Sequence, residues 1–146
     1  MGTPDAEQVN EAVLGFDRLY GLEFLSFSDA EVRAQLPVRD EHKQPAGLVH
    51  GGVYASMAES MASFGTARAV RENGDMAMGL SNSTSFLRPV TAGIVHALAT
   101  RVHRGRSTWV WDVRFSDDAG NTCALTRMTI AVRPRRDGAR RSPAQG

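Results

Sequence analysis

The chain has 146 residues, of which 42% are hydrophobic and 23% are charged. A chain of this length forms one domain that buries roughly 70% of its unfolded surface, and its composition excludes wholesale disorder and a membrane span. The single cysteine, Cys123, excludes an internal disulfide framework and a cysteine-built zinc site.

The formal net charge of +1 is distributed unevenly along the chain. Residues 133–146 contain five arginines and one acid, Asp137, so that residues 1–132 carry a net charge of −3. A slightly acidic body predicts no nucleic-acid partner. Acidic residues interrupt the N-terminus and no apolar signal stretch follows, so we expect a cytoplasmic protein with no membrane partner.

Hydrophobic periodicity predicts the elements in chain order. Residues 5–20 are typical of an amphipathic helix, residues 39–47 of a loop, and residues 53–72 of a long helix between glycine-containing ends. Alternating polar and apolar residues predict six strands, at 22–28, 30–38, 76–88, 93–103, 107–116 and 122–132.

Consecutive hairpins of this kind imply an antiparallel sheet whose apolar face needs a partner, and the long helix is the available one. The predicted fold class is therefore α+β, with an antiparallel sheet of five or six strands wrapped around one central helix. We expect an N-terminal helical segment at 1–20, the main domain at 21–133, and a basic tail at 134–146 that is disordered beyond about Arg136.

One segment carries the candidate chemistry, and it runs from Gln44 through His50-Gly51-Gly52 into the long helix. Glycines at a helix start present backbone N–H groups at the positive end of the helix dipole, where an oxyanion can bind. Glu59 is the only charged residue in 53–67. Burial of its carboxylate would cost free energy unless this group has a role or a partner. Ser63 lies one turn after Glu59, within reach of its carboxylate. Each of these features, when it occurs alone, is most often structural. A histidine and two glycines before a helix usually form a turn and a cap, and a lone glutamate is usually a solvated acid.

The segment from His50 to Glu59 resembles the signature of hotdog-fold acyl-CoA thioesterases. It is most similar to the 4-hydroxybenzoyl-CoA thioesterase branch, which places a glutamate nine residues after the histidine. The resemblance continues through Ser81–Val90, Thr108–Val113 and Ile130–Asp137, and it covers about residues 40–137.

The resemblance implies hydrolysis of an aromatic acyl-CoA, with coenzyme A as part of the substrate and no other cofactor or metal. Glu59 would act as nucleophile or general base on the acyl carbonyl, and the N–H of Gly51 would stabilise the oxyanion. Gln44 would orient the thioester or water, His50 would fix the glycine turn, and Ser63 matches a position that often holds threonine. The residues expected to contact coenzyme A are Arg88, Arg106, Ser107 and Arg136.

Spacing supplies an argument that does not depend on the resemblance. Gly51 and Glu59 are eight residues apart, or about 12 Å along one helix. A base and an oxyanion donor must each come within roughly 3–3.5 Å of the same reacting group. If both act, they come from different protomers related by a two-fold axis, which predicts at least a homodimer. The resemblance further implies a homotetramer.

Three alternatives remain open at this stage. A hydratase or dehydratase on the same fold usually pairs a catalytic histidine with an acid, and His50 is poorly placed relative to Glu59. A non-catalytic acyl-CoA-binding protein would retain the binding residues without hydrolysis. A thioesterase for medium-chain aliphatic acyl-CoA would share the machinery and differ only in its acyl pocket.

Overall fold

A computed structural model describes residues 5–136. Three α-helices lie at Ala6–Ala12 (α1), Gly15–Tyr20 (α2) and Gly51–Val70 (α3), with single 3-10 turns at Asp40–His42 and Arg71–Asn73. The strands are β1 Glu23–Phe27, β2 Glu31–Pro37, β3 Asp75–Phe86, β4 Ile94–Arg104, β5 Thr108–Ser116 and β6 Thr122–Pro134. The predicted long helix and all six strands are confirmed, with ends that differ by at most two residues.

The strands form one antiparallel sheet in the order β1-β2-β4-β5-β6-β3. Helix α3 lies across the apolar face of this sheet, and its contacts extend from β3 at one edge to Phe24 of β1 at the other. The alternation predicted for β5 is confirmed, since Trp109, Trp111, Val113 and Phe115 are all buried on that face. No helix within residues 5–136 is both long enough and apolar enough to cross a bilayer.

Close packing of α3 on the sheet depends on the small residue at position 65 of the chain. A Cβ atom at Gly65 would lie 2.7 Å from the Trp111 ring, so only glycine allows this approach. The indole Nε1–H of Trp111 donates to Thr66 Oγ1 at 2.9 Å, and Thr66 in turn donates to the carbonyl of Ala62. Every polar atom of this buried contact is therefore hydrogen-bonded.

The prediction of one continuous helix over residues 5–20 is wrong. Helix α1 ends at Ala12 because Val13 is extended, and α2 begins at Gly15, whose φ of +63° favours glycine. Helix α2 is fixed on α3 by a hydrogen bond from Ser60 Oγ to Asp17 Oδ1 at 2.5 Å. The prediction of a disordered tail beyond Arg136 lies outside the described residues.

Candidate active site

The turn that begins α3 is fixed by His50, the N-cap residue of the helix. His50 Nδ1 accepts a hydrogen bond from the Gly52 N–H at 2.8 Å, and the backbone N–H of His50 donates to the carbonyl of His42 at 2.8 Å. The side chain of His50 thus satisfies one of the unpaired amides of the first helical turn. This arrangement agrees with the expectation that His50 orders the glycine turn.

The N–H of Gly51 differs from its neighbours because it has no hydrogen-bond acceptor within residues 5–136. It lies at the first position of a 20-residue helix, where the helix dipole is positive. A Cβ atom at Gly51 would lie only 2.6 Å from Cζ of Phe86, so the ring of Phe86 packs directly on this glycine. The amide is therefore an available donor beside an aromatic ring.

A groove of about 560 Å³ opens at this point, and we refer to it as the β3-end groove because Phe86 ends β3. Gln44 lies in its wall, with its Oε1 accepting from the Ala46 N–H at 2.6 Å. The residues lining the groove are Gln44, Leu48, Val49, His50, Gly51, Gly52, Tyr54, Phe86, Leu87, Arg88 and Pro89. Four of the predicted site residues are thus brought together: Gln44, His50, Gly51 and Arg88.

Tyr54 and Phe86 were not identified from the sequence, although both line this groove. The Tyr54 hydroxyl is buried and has no hydrogen-bond partner within the part of the chain that the structure describes. Burial raises the pKa of Tyr54 to about 12, so the phenol stays protonated. The only available signal was the position of Tyr54, three residues after Gly51, which places it near the glycine on the same face of the helix.

Glu59 lies outside the β3-end groove of its own protomer. Its side chain is exposed and extends toward the middle of β3, where a Cβ atom at Gly79 would lie 3.5 Å from Oε1. The expectation of a costly burial at Glu59 is therefore wrong for the isolated protomer. Ser63 makes no hydrogen bond to Glu59 in the structure of residues 5–136, so the predicted pairing of these side chains is not seen.

The residues predicted to contact coenzyme A do not meet in one protomer. Arg88 follows the C-terminal end of β3, whereas Arg136 follows β6 and lies near the start of β3. Ser107 belongs to this second group, because its carbonyl accepts from the backbone N–H of Val132 at 2.9 Å, and Arg106 precedes it in the same hairpin.

The distance between these two groups follows from the strand register. Met76 pairs with Arg133 and Phe86 pairs with Ala124, so ten residues of β3 separate the two groups. At 3.3 Å per residue this is about 33 Å. One phosphate therefore cannot contact both groups of a single protomer.

Comparisons with known proteins agree with this fold. The thioesterase superfamily profile matches residues 46–124. A 1,4-dihydroxy-2-naphthoyl-CoA hydrolase from Listeria monocytogenes is 34% identical over 123 residues, which are 84% of this chain and 99% of that protein.

Two crystal structures show the same architecture. A variant of a thioesterase from Pseudomonas aeruginosa aligns with a TM-score of 0.86 and 36% identity, covering 92% of this chain and 97% of the other. A thioesterase from Haemophilus influenzae aligns with a TM-score of 0.87 and 29% identity over 94% and 96% of the two chains. The 4-hydroxybenzoyl-CoA branch within the family stays a prediction. The fold, the glycine turn and these matches together show that the chain belongs to the thioesterase superfamily and has the hotdog fold.

Proposed function

We propose that this protein hydrolyses the thioester of an aromatic acyl-CoA to the free acid and coenzyme A. Thioester hydrolysis is the chemistry of the family to which the chain belongs. The observation that carries the proposal is the Gly51 N–H, which lies in the β3-end groove, at the positive end of α3, with no acceptor within residues 5–136. A carbonyl oxygen that becomes an oxyanion is the partner that such an amide stabilises.

Glu59 supplies the second half of the proposed chemistry. Its carboxylate either attacks the carbonyl carbon, forming an anhydride that water then hydrolyses, or takes a proton from a water that attacks directly. In both routes the C–S bond breaks and the sulfur leaves as a thiolate. The Gly51 amide stabilises the negative oxygen in either route, so the same two groups serve both.

The separation of Glu59 from Gly51 supports a site shared between two protomers. The two residues are about 12 Å apart along α3, and Glu59 is exposed beside Gly79 of β3. Strand β3 is an edge strand, and within residues 5–136 nothing is hydrogen-bonded to its outward backbone groups. Two-fold pairing through this edge would carry Glu59 of the partner subunit toward the β3-end groove.

The same pairing accounts for the divided coenzyme A residues. Strands related by a two-fold axis pair antiparallel, so the end of one β3 lies beside the start of the partner's β3. Arg88 of one protomer would then approach Arg106, Ser107 and Arg136 of the partner subunit. The phosphates of one coenzyme A could contact both groups, with arginines supplying charge-assisted hydrogen bonds. A homotetramer of two such dimers remains our prediction.

An aromatic acyl group is favoured by two observations. Aromatic side chains lie on both sides of the turn that carries Gly51, Phe86 in the β3-end groove and Phe16 in a neighbouring groove, and aromatic rings favour offset or edge-to-face contact with another ring. The relative from Listeria monocytogenes is named for an aromatic acyl-CoA. The competing candidate is a thioesterase for medium-chain aliphatic acyl-CoA, which the apolar side chains around the same turn would also accept.

The test is a panel of benzoyl-, 4-hydroxybenzoyl-, phenylacetyl-, hexanoyl- and acetyl-CoA, with released thiol trapped by a chromogenic disulfide. We expect the aromatic substrates to have the highest kcat/KM. Replacing Glu59 by Gln should lower kcat about 1,000-fold, in the range of a lost general base or nucleophile, while the affinity for free coenzyme A stays within about twofold.

Glu72→Gln is the matched control, because Glu72 is an exposed acid in the turn that follows α3. It should retain wild-type turnover. Binding of acyl-CoA without thiol release would instead identify a non-catalytic acyl-CoA-binding protein. Near-wild-type turnover of Glu59→Gln would remove this residue from the mechanism.

A further inference from the structure

A second groove lies on the other side of the His50 turn, between α2 and the start of α3, and we refer to it as the α2 groove. Its volume is about 780 Å³. The residues that line it are Phe16, Leu19, Tyr20, Arg39, Glu41, His42, His50, Gly52, Val53 and Ser56. His50 and Gly52 also line the β3-end groove, so the two grooves meet at the turn that carries Gly51.

The wall formed by α2 is apolar and exposed. Phe16 is 62% exposed and Leu19 is 73% exposed, although both belong to an ordered helix that faces a groove. Removing apolar side chains of this size from water is favourable, so each would strengthen the binding of a ligand that covers it. The pair is therefore an unused apolar surface beside the proposed reacting centre.

The backbone behind this wall is held rigidly. Buried His42 donates from Nε2 to the carbonyl of Tyr20 at 2.6 Å and accepts at Nδ1 from the Arg39 N–H at 2.9 Å. The Asp17–Ser60 hydrogen bond fixes the other side of α2 on α3. A preformed apolar wall loses little conformational freedom when a ligand binds, which is typical of a small-molecule site.

The charges of the two grooves indicate different occupants. The β3-end groove contains Arg88 and no acid, which suits the anionic coenzyme A. The α2 groove contains one arginine and one glutamate, Arg39 and Glu41, so it offers a phosphate no net positive charge. The Arg39 guanidinium also donates to the carbonyl of Leu19 at 3.2 Å. One of its N–H groups is therefore already used by the protein backbone.

We propose that the α2 groove holds the acyl group of the substrate and that Phe16 and Leu19 select a ring-bearing acyl group. This inference rests on the proposed thioester hydrolysis and deepens it. The thioester carbonyl lies at Gly51, the coenzyme A arm extends into the β3-end groove, and the acyl group extends to the opposite side of the turn. The ring of Phe16 lies 5.0 Å from that of Tyr20, in a tilted arrangement that a third ring can extend.

The first test measures binding without hydrolysis. A thioether of coenzyme A that carries a phenacyl group cannot be hydrolysed, and its affinity relative to free coenzyme A reports the contribution of the ring. We expect combined Phe16→Ala and Leu19→Ala substitutions to weaken binding of the thioether about 10-fold and that of coenzyme A less than about twofold. Leu14→Ala is the matched control, because Leu14 is 72% exposed and lies outside the α2 groove.

The second test uses Leu19→Trp, which fills the groove, and compares kcat/KM for benzoyl-, hexanoyl- and acetyl-CoA. We expect at least about a 10-fold loss for benzoyl-CoA and less than about twofold change for acetyl-CoA, because a short acyl group does not reach Leu19. Since Leu19 is largely exposed, the substitution removes no core contact.

Equal losses for benzoyl- and acetyl-CoA, or no loss for either, would overturn the proposal. A loss confined to hexanoyl-CoA would assign the groove to an aliphatic chain and contradict the ring preference. A change of oligomeric state in the alanine variant but not in Leu14→Ala would assign the α2 surface to a second copy. If wild-type protein hydrolyses no acyl-CoA, the proposed function fails, while the thioether measurement still decides whether the groove binds the ring.

Discussion

The two edges of the sheet are built differently. Strand β1, at one edge, has five residues and an irregularity between Phe24 and Ser26. The side-chain amide of Asn10 donates to the carbonyl of Phe24 at 2.7 Å and accepts from its N–H at 2.8 Å. Strand β3, at the other edge, has twelve residues and exposes Met76, Met78 and Leu80.

A short, bulged and capped edge is protected against pairing with another chain, whereas a long apolar edge is a surface that pairs. The α1 helix therefore closes the β1 edge by presenting one side chain that replaces a neighbouring strand. The β3 edge has no such protection within residues 5–136, and we propose that a second copy pairs with it; Glu59 extends toward the same edge. This contrast supports the proposal that the open edge contributes to the active site.

The largest expected effect comes from placing charge on the open edge. Met78→Asp combined with Leu80→Asp should raise the dimer dissociation constant at least about 100-fold, because association would then bury carboxylates without partners. Hydrolysis should fall in parallel when each sample is diluted. Light scattering combined with size-exclusion chromatography checks the mass.

The matched control is Leu25→Asp on the closed edge, since Leu25 is 47% exposed and Leu80 is 59% exposed. It should leave both mass and activity unchanged. A dimer that survives the β3 substitutions but dissociates with Leu25→Asp would reverse the assignment of the two edges.

The next effect is the loss of the cap on the closed edge. Asn10→Ala removes two hydrogen bonds to Phe24 and should lower the free energy of unfolding by about 2 kcal/mol, because each bond contributes roughly 1 kcal/mol. Chemical denaturation of the dimer at fixed protein concentration measures this change. Dimer mass and kcat/KM should stay at wild-type values, and a loss of the dimer would contradict a purely local role.

The smallest effect concerns the charge at the end of the open edge. Arg88→Ala should raise KM for acyl-CoA about 5- to 10-fold with little change in kcat, because a phosphate contact contributes to binding in the ground state and the transition state alike. Arg33→Ala is the control, since Arg33 is an exposed arginine on β2, next to the closed edge. Equal effects of both substitutions would indicate nonspecific electrostatics.

Much of the fold could be predicted because it follows from local patterns. Period-2 alternation identifies all six strands, and hydrophobic periodicity between glycine-containing ends identifies the long central helix. The glycine turn at His50 could be identified because two successive glycines at a helix start have a specific physical consequence. The 12 Å spacing between Gly51 and Glu59 is likewise a property of the helix alone.

Other features depend on contacts between distant residues and leave no local pattern. The cap that Asn10 forms on Phe24 joins residues 14 positions apart, and a lone asparagine in a helix gives no sign of it. The Phe86 ring on Gly51 is a contact of the same kind. The break between α1 and α2 does not follow from apolar spacing, because that spacing continues across it, although Gly15 is a local signal for a helix end.

The most direct test of a shared site is complementation between two inactive variants. Gly51→Pro removes the amide proton at the first helical position, where proline is tolerated, and the ψ of 136° at His50 suits a following proline. Gly51→Ala is its control, because it meets the same Phe86 ring but keeps the N–H.

Glu59→Gln and Gly51→Pro should each be inactive alone, while Gly51→Ala retains measurable turnover. When both inactive variants are co-expressed, half of the randomly formed dimers contain one intact site. A site shared between two protomers predicts about a quarter of wild-type activity in that mixture. The size and mass of the co-expressed protein are measured to confirm that dimers form. If dimers form but activity does not recover, a site formed from two protomers is contradicted.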